Sequence, residues 1–253
     1  MLFHVFSFCI LPFAFNLFSS AFNLFSKHFQ PLKPLQLIQL SMKIAIFGAT
    51  GNIGRRVVTE ALNRGHDVTA IMRQPENYTQ IREHLYVTKG DLFKTQDVEA
   101  AVFDHDAVVS AYNFTKGATP STIVEVAEPL LNGLKQAGVK RLIICGGAGS
   151  LEVAPGVHLV DTPTFPEEFK AAALAHRDAL KVYQKEKELD WTYLSPAAYI
   201  EPGVRTGIFK TGKDQLIVDE HGNSRISMED FAVAIVDELE RPAHIRQRFT
   251  VGY

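Results

Sequence analysis

Ile44-Ala-Ile-Phe-Gly-Ala-Thr-Gly-Asn-Ile-Gly54 is the stretch that decides the fold. The apolar run ending at Phe47 suits a strand buried on both faces, and the glycines at 48, 51 and 54 mark a tight turn into a helix. That helix follows at once, with Ile53, Val57, Val58, Ala61 and Leu62 on one face and Gly65 where a left-handed residue would end it. Such a turn aims free backbone N–H groups and the positive end of the helix dipole at one point, where a pyrophosphate fits. Gly48 permits the turn, Gly51 lets backbone approach the phosphates, and Gly54 lets the helix pack on its strand. Ala49, Thr50, Asn52 and Ile53 fill the positions between and complete the expected phosphate loop. The spacing is G-x-x-G-x-x-G rather than the commoner G-x-G-x-x-G, so the flanking strand and helix carry much of its meaning.

Downstream, strand and helix alternate, the pattern of a parallel sheet covered on both faces. Further strands are predicted from Val68 to Met72, Leu85 to Thr88, Ala107 to Ser110, Arg141 to Cys145 and Trp191 to Ser195. The helix after the fourth strand is predicted to open with Thr119 as its cap and Pro120 behind it, to bend at Pro129 and to close at Gly138. Beyond Gly203 the alternation stops. The stretch to Asp219 reads as a small hairpin or loop excursion, and Ser227-Met-Glu-Asp230 reads as a helix start with Asp in the capping-box position. A helix to about Glu240 and a last strand from Arg248 to Val251 would follow. The expected fold is α/β, a doubly wound parallel sheet of Rossmann type with a small C-terminal excursion on the substrate side.

Residues 1–41 read differently. They hold 9 of the 18 Phe, no acidic residue, and only Lys27 and Lys33 for charge. Leu2 to Ser26 is uncharged and long enough to cross a bilayer, but no basic residue precedes it and polar residues interrupt it. Met42 stands just before the first strand, so this extension is expected to lie outside the fold, and membrane contact is expected only through it. From Met42 onward there are 24 basic and 28 acidic residues, a formal charge of −4, which argues against a nucleic-acid footprint. Cys9 and Cys145 have no metal or disulfide spacing, so a reducing cytoplasm is the expected compartment. No metal site is expected, because the nine histidines fall in no ligand spacing.

Cofactor choice is read at the end of the second strand, where an acid selects the ribose 2′-hydroxyl of NAD and Arg favours the 2′-phosphate of NADP. The strand ends Ile71-Met-Arg-Gln74, so Arg73, with Arg55 near the glycine turn, points to NADP(H) over NAD(H). With these residues in view, GATGNIG resembles the atypical short-chain dehydrogenase/reductase superfamily in its NmrA-like branch. Gly90-Asp91-Leu92, Ser110-Ala111-Tyr112, Gly146 to Glu152 and Asp190 to Pro196 are similar to bacterial proteins proposed as NADH-flavin reductases. The resemblance runs from about Met42 to Tyr253. It implies Asp91 and Leu92 beside the adenine, Ser110, Ala111, Gly146 and Gly147 along the cofactor, and a substrate side lined by Tyr112, Ala148, Ser150, His158 and Pro196. Tyr112 also reads as a loop aromatic packed on its neighbours.

Tyr183-Gln-Lys-Glu-Lys187 matches the Tyr-x-x-x-Lys pair with which short-chain dehydrogenases exchange a proton. It stands too close to the sixth strand, and where the family keeps its pair this chain has Phe169 and Ala173. The pair is therefore expected to be the surface face of a charged helix. A nicotinamide site without that pair suits an acceptor that takes hydride directly, and the resemblance implies a flavin (FMN, FAD or riboflavin) bound as an exchangeable small-molecule substrate. The alternative is a non-catalytic NADP(H)-binding sensor or scaffold, which would use the same glycine turn.

Overall fold

A computed structural model describes residues 41–114 and 118–253. The expectations for the N-terminal extension lie outside the described residues, apart from Ser41. Residues Ser41–Tyr253 form one compact unit.

The glycine-flanked run forms β1 (Lys43–Phe47) and α1 (Gly54–Asn63). In β1 the side chains alternate between two cores. Ile44 and Ile46 join Val57, Val58 and Ala61 of α1, whereas Ala45 and Phe47 join the cluster on the other face of the sheet. Next in sequence come β2 (Asp67–Met72), β3 (Leu85–Lys89), α2 (Thr95–Val102), β4 (Ala107–Ser110), α3 (Thr122–Glu125), α4 (Ala127–Ala137) and β5 (Arg141–Cys145). A short hairpin of β6 (Glu152–Ala154) and β7 (Val157–His158) leads to α5 (Glu167–Lys185) and β8 (Asp190–Ser195). The chain finishes with β9 (Tyr199–Glu201), β10 (Lys210–Gly212), β11 (Arg225–Ser227), α6 (Met228–Glu240) and β12 (Gln247–Gly252).

The main sheet has the order β10-β12-β8-β5-β4-β1-β2-β3. Every pair in it is parallel except β10 with β12, so the sheet is doubly wound and its order reverses between β1 and β4. Helices α1 and α6 supply one covering layer, with Phe231, Ile235 and Leu239 of α6 in the same core as Val57. The other layer carries α2, α4 and α5, represented by Val98, Leu130, Leu134 and Tyr183 around Trp191 and Tyr193.

Several local expectations change. The predicted bent helix before Gly138 is two helices, α3 and α4, that meet at Val126. Pro129 has no N–H to give the carbonyl of Glu125, so the ladder breaks there and restarts when Leu130 N bonds Val126 O at 3.1 Å. Helix α3 also begins later than Thr119, with Ser121 in the cap position. Gly138 closes α4 at φ 76°, as its position implied. At α6, Ser227 Oγ accepts from Asp230 N at 2.9 Å, but the reciprocal half of the capping box is absent. Asp230 instead accepts from Thr206 N and Gly207 N, each at 2.8 Å, so it holds the preceding loop. Tyr183 corrects the surface reading of its helix tail: it is only 2% exposed, since it faces the sheet beside Tyr193, whereas Lys187 is exposed.

Candidate functional site

The reversal of strand order leaves a crevice at the carboxyl ends of β1 and β4, and the glycine turn forms its floor. Gly48 has φ 74°, and a Cβ there would meet Ala111 O at 2.5 Å, so only glycine lets the turn pass beside β4. A Cβ on Gly54 would stand 2.0 Å from Gly48 O, which fixes how closely α1 begins behind β1. The turn is closed by Gly51 N donating to Gly48 O at 2.9 Å, and Arg55 N reaches Gly51 O at 3.1 Å. The N–H groups of Asn52, Ile53 and Gly54 have no hydrogen-bond partner among the described residues. Three donors at one helix N-terminus make a cradle of the right chemistry for a pyrophosphate.

The cleft above this turn has a volume of about 390 Å³ and is lined by Gly48, Thr50, Gly51, Asn52, Ile53, Arg73, Asp91, Leu92, Ala111 and Tyr112 among others. It brings most of the sequence-selected cofactor residues together. Arg73 is exposed at the end of β2 and has no hydrogen bond or ion pair among the described residues. Beyond it the surface opens into a second hollow of about 530 Å³, bordered by Gln74, Asn77 and Tyr78. Asp91 accepts from Phe93 N at 3.1 Å, which turns the loop so that buried Leu92 faces inward. Phe93 then meets Tyr112 edge to face, centroids 6.1 Å apart, so Tyr112 is both a packed loop aromatic and a wall of the cleft. Phe93, Asn113 and Phe114 also line it. They went unselected because isolated loop residues carry no spacing signal; only adjacency to Leu92 and Tyr112 could have found them.

Other selected residues lie elsewhere. Ser110 is buried beneath the cleft and borders a separate small cavity. Gly146 and Gly147 serve packing: a Cβ on Gly146 would meet the Tyr193 ring, and one on Gly147 would stand 2.9 Å from His176 Cβ. Ala148 is half-buried beside them and Pro196 is buried at the end of β8. Ser150 is tied to Arg248, whose Nη1 donates to its Oγ at 2.8 Å and its carbonyl at 2.9 Å. His158 stands in β7, 3.5 Å from Asp161. The stretch from Ser150 to Phe165 is a hairpin followed by a helical turn.

The crevice, its glycine turn and its free donors set the frame for comparison. A family model described as NAD(P)H-binding matches residues 48–242. The chain belongs to this NAD(P)H-binding family. The fold and motifs of this family member fit the atypical short-chain dehydrogenase/reductase class, including its NmrA-like branch. A proposed exported protein from Burkholderia pseudomallei is 51% identical with a TM-score of 0.77, over 84% of this chain and 100% of that one. A proposed epimerase from Bacteroides thetaiotaomicron is 45% identical with a TM-score of 0.78, over 85% and 98%. A proposed NADH-flavin reductase from Streptococcus pneumoniae is 34% identical with a TM-score of 0.73, over 84% and 99%. Among the described residues, no helix is long and apolar enough to cross a membrane.

Proposed function

We propose that this NAD(P)H-binding protein is a reductase that passes hydride from NADPH, in preference to NADH, to a flavin held as an exchangeable substrate in the cytoplasm. One observation supports the reading: the crevice joins free N–H donors at the glycine turn to an unpaired Arg73 and has, among the described residues, no Tyr–Lys pair of the kind that protonates a carbonyl. The dinucleotide, when bound, supplies the hydride. The chain's own residues bind, orient and exclude. The N–H groups of Asn52, Ile53 and Gly54 would take the pyrophosphate, Arg73 the 2′-phosphate, and Leu92 with Phe93 the adenine side. Tyr112 and the start of the loop behind it would flank the acceptor ring and keep water from the transferred hydride. Tyr183 is buried against the sheet, which pushes its phenol above the usual tyrosine range, and Lys187 donates to Gln184 O instead of pairing with it, so the two residues do not form the dyad of the classical enzymes.

The relative from Streptococcus pneumoniae supports the choice of flavin, while the epimerase name of another relative directs attention to sugar nucleotides, whose turnover needs the missing proton-exchanging pair. The test is steady-state oxidation of NADPH and NADH against FMN, FAD, riboflavin and quinones. Turnover with flavins and a lower KM for NADPH is the expected result. Tight NADPH binding with no turnover on any acceptor would instead favour a sensor or scaffold.

A further inference from the structure

A separate hollow of about 240 Å³ opens between the tail of α5, the loop after β10 and the start of β12. Buried Trp191, near the amino end of β8, forms its apolar wall. The hollow therefore lies at the opposite end of the strands from the crevice, and toward the other edge of the sheet. Four cations from three distant segments line it, Lys187, Lys213, Arg246 and Arg248, against one carboxylate, Asp214. That carboxylate is already spent, since Arg248 donates to it through Nε at 2.9 Å and again through Nη2. Arg248 is closed off in turn: its side chain is 9% exposed and its Nη1 holds Ser150.

The other three cations keep donors to spare. Lys213 Nζ has no partner among the described residues, and Lys187 Nζ gives a bond to Gln184 O at 3.2 Å. Arg246 gives Nε to Leu189 O at 3.1 Å and Nη2 to Asp190 at 3.3 Å, which leaves Nη1 free. Its backbone is left-handed, φ 55°, a conformation that a residue with a long side chain seldom adopts, and Arg246 N is held there by Trp191 O at 2.6 Å. The remaining acid nearby, Glu188, faces Lys135 at 3.8 Å. Such a surplus is not the background of this chain, because residues 42–253 carry a formal charge of −4 and the cofactor cleft sets Arg73 against Asp91. Like charges converging on a concave surface repel one another and focus a positive potential on the space between them, which an anion relieves.

We propose that this hollow is a second anion site, independent of the dinucleotide, that takes a compact phosphorylated anion. Lys and Arg heads only donate, so the ligand must be rich in acceptors, and the volume suits a pyrophosphate-sized group better than a whole dinucleotide. Lys187, Lys213 and Arg246 would hold it, with the Arg248–Asp214 pair as the rigid wall behind.

Pyrophosphate is the probe, titrated by calorimetry into the full chain saturated with NADPH, so that the glycine turn is already filled. One saturable site is expected. Lys187→Gln and Lys213→Gln, both at exposed positions, should each weaken it about fivefold, and Lys213→Glu should remove it, with NADPH affinity unchanged in all three. Gly51→Val, which puts a side chain in the glycine turn, should still bind pyrophosphate and serves as the control without cofactor. Failure to bind under both conditions would overturn the proposal, as would equal affinity in a folded Lys187→Gln, Lys213→Gln double variant. Binding that vanishes with NADPH present and in Gly51→Val would assign the pyrophosphate to the glycine turn and overturn the second site, leaving the cofactor reading intact.

Discussion

Arg56 Nε donates to Glu229 Oε1 at 2.5 Å, joining the first turn of α1 to the first turn of α6. The same guanidinium bonds Asn52 O at 2.7 Å, inside the glycine turn, and the other Glu229 oxygen accepts from Gly203 N at 2.7 Å. The glycine turn and the loop that enters the C-terminal excursion are therefore held by one ion pair, mostly shielded from water. Removing either partner should loosen both ends at once. Arg56→Ala and Glu229→Ala should each weaken NADPH binding and lower thermal stability, and the double variant should cost about 1 kcal/mol less than their sum, the usual size of coupling between contacting residues. Additive losses in a four-protein cycle would mean that the pair does not connect the two segments.

The glycines of the turn should separate by what their missing side chain would touch. Gly54→Ala places a Cβ against Gly48 O and should destabilise the fold by more than about 3 kcal/mol, because rigid backbone lies on both sides. Gly51→Val meets only Gly48 O, at 3.2 Å, and should leave the fold largely intact while abolishing cofactor binding. Denaturant melts together with cofactor-fluorescence titrations check both. Normal NADPH affinity in Gly51→Val would remove the turn as phosphate site.

Arg73→Ala should weaken NADPH by about 1–3 kcal/mol more than NADH, as expected for loss of charge-assisted bonds to a phosphate. Equal losses for the two cofactors, measured by titration, would show that the exposed guanidinium does not discriminate.

Tyr183→Ala should cost about 3–5 kcal/mol of stability, since a fully buried ring leaves a hole between α5 and the sheet. Lys187→Ala should stay within about 0.5 kcal/mol. Tyr183→Phe should reduce flavin within about threefold of the parental rate, far from the hundredfold loss that follows removal of a proton donor. A collapse in turnover with binding preserved would restore the dyad and point to carbonyl reduction.

Glu60, 5% exposed on α1, sits under two guanidinium groups: Arg205 Nε and Nη2 and Arg64 Nε each reach it at 2.7 Å. Hydrogen bonds from Arg205 outweigh burial and, with those from Arg64, hold its carboxyl below the ordinary value of 4.5. A depressed carboxyl adds stability that is complete above the unfolded value and is lost as pH falls through the folded one. Unfolding free energy should thus lose this contribution below about pH 4.5, and Glu60→Gln should flatten that acid-side slope. Identical slopes in urea melts from about pH 3 to 7 would exclude the network as a source of acid sensitivity.

The sequence by itself determined the sheet, the turn and the cradle, because each rests on short-range rules. Runs such as Ile44–Phe47 and Arg141–Cys145 are strands through local apolar pattern, and Gly48, Gly51 and Gly54 are set by backbone geometry within a few residues. The position of Arg73 beside the cleft was legible for the same reason: the end of β2 borders the crevice in any sheet of this winding. Tertiary structure alone decided which residues meet across long separations. Tyr183 is helix-tail surface by spacing and core by packing, because α5 turns that face to Tyr193. Asp230 is a capping residue by motif, yet its carboxylate holds Thr206 and Gly207, and the His176 carbonyl gains the Tyr193 hydroxyl as its donor only where β8 brings Tyr193 beneath α5. No local pattern encodes such pairings; they exist only once the sheet has set the distance between its helices.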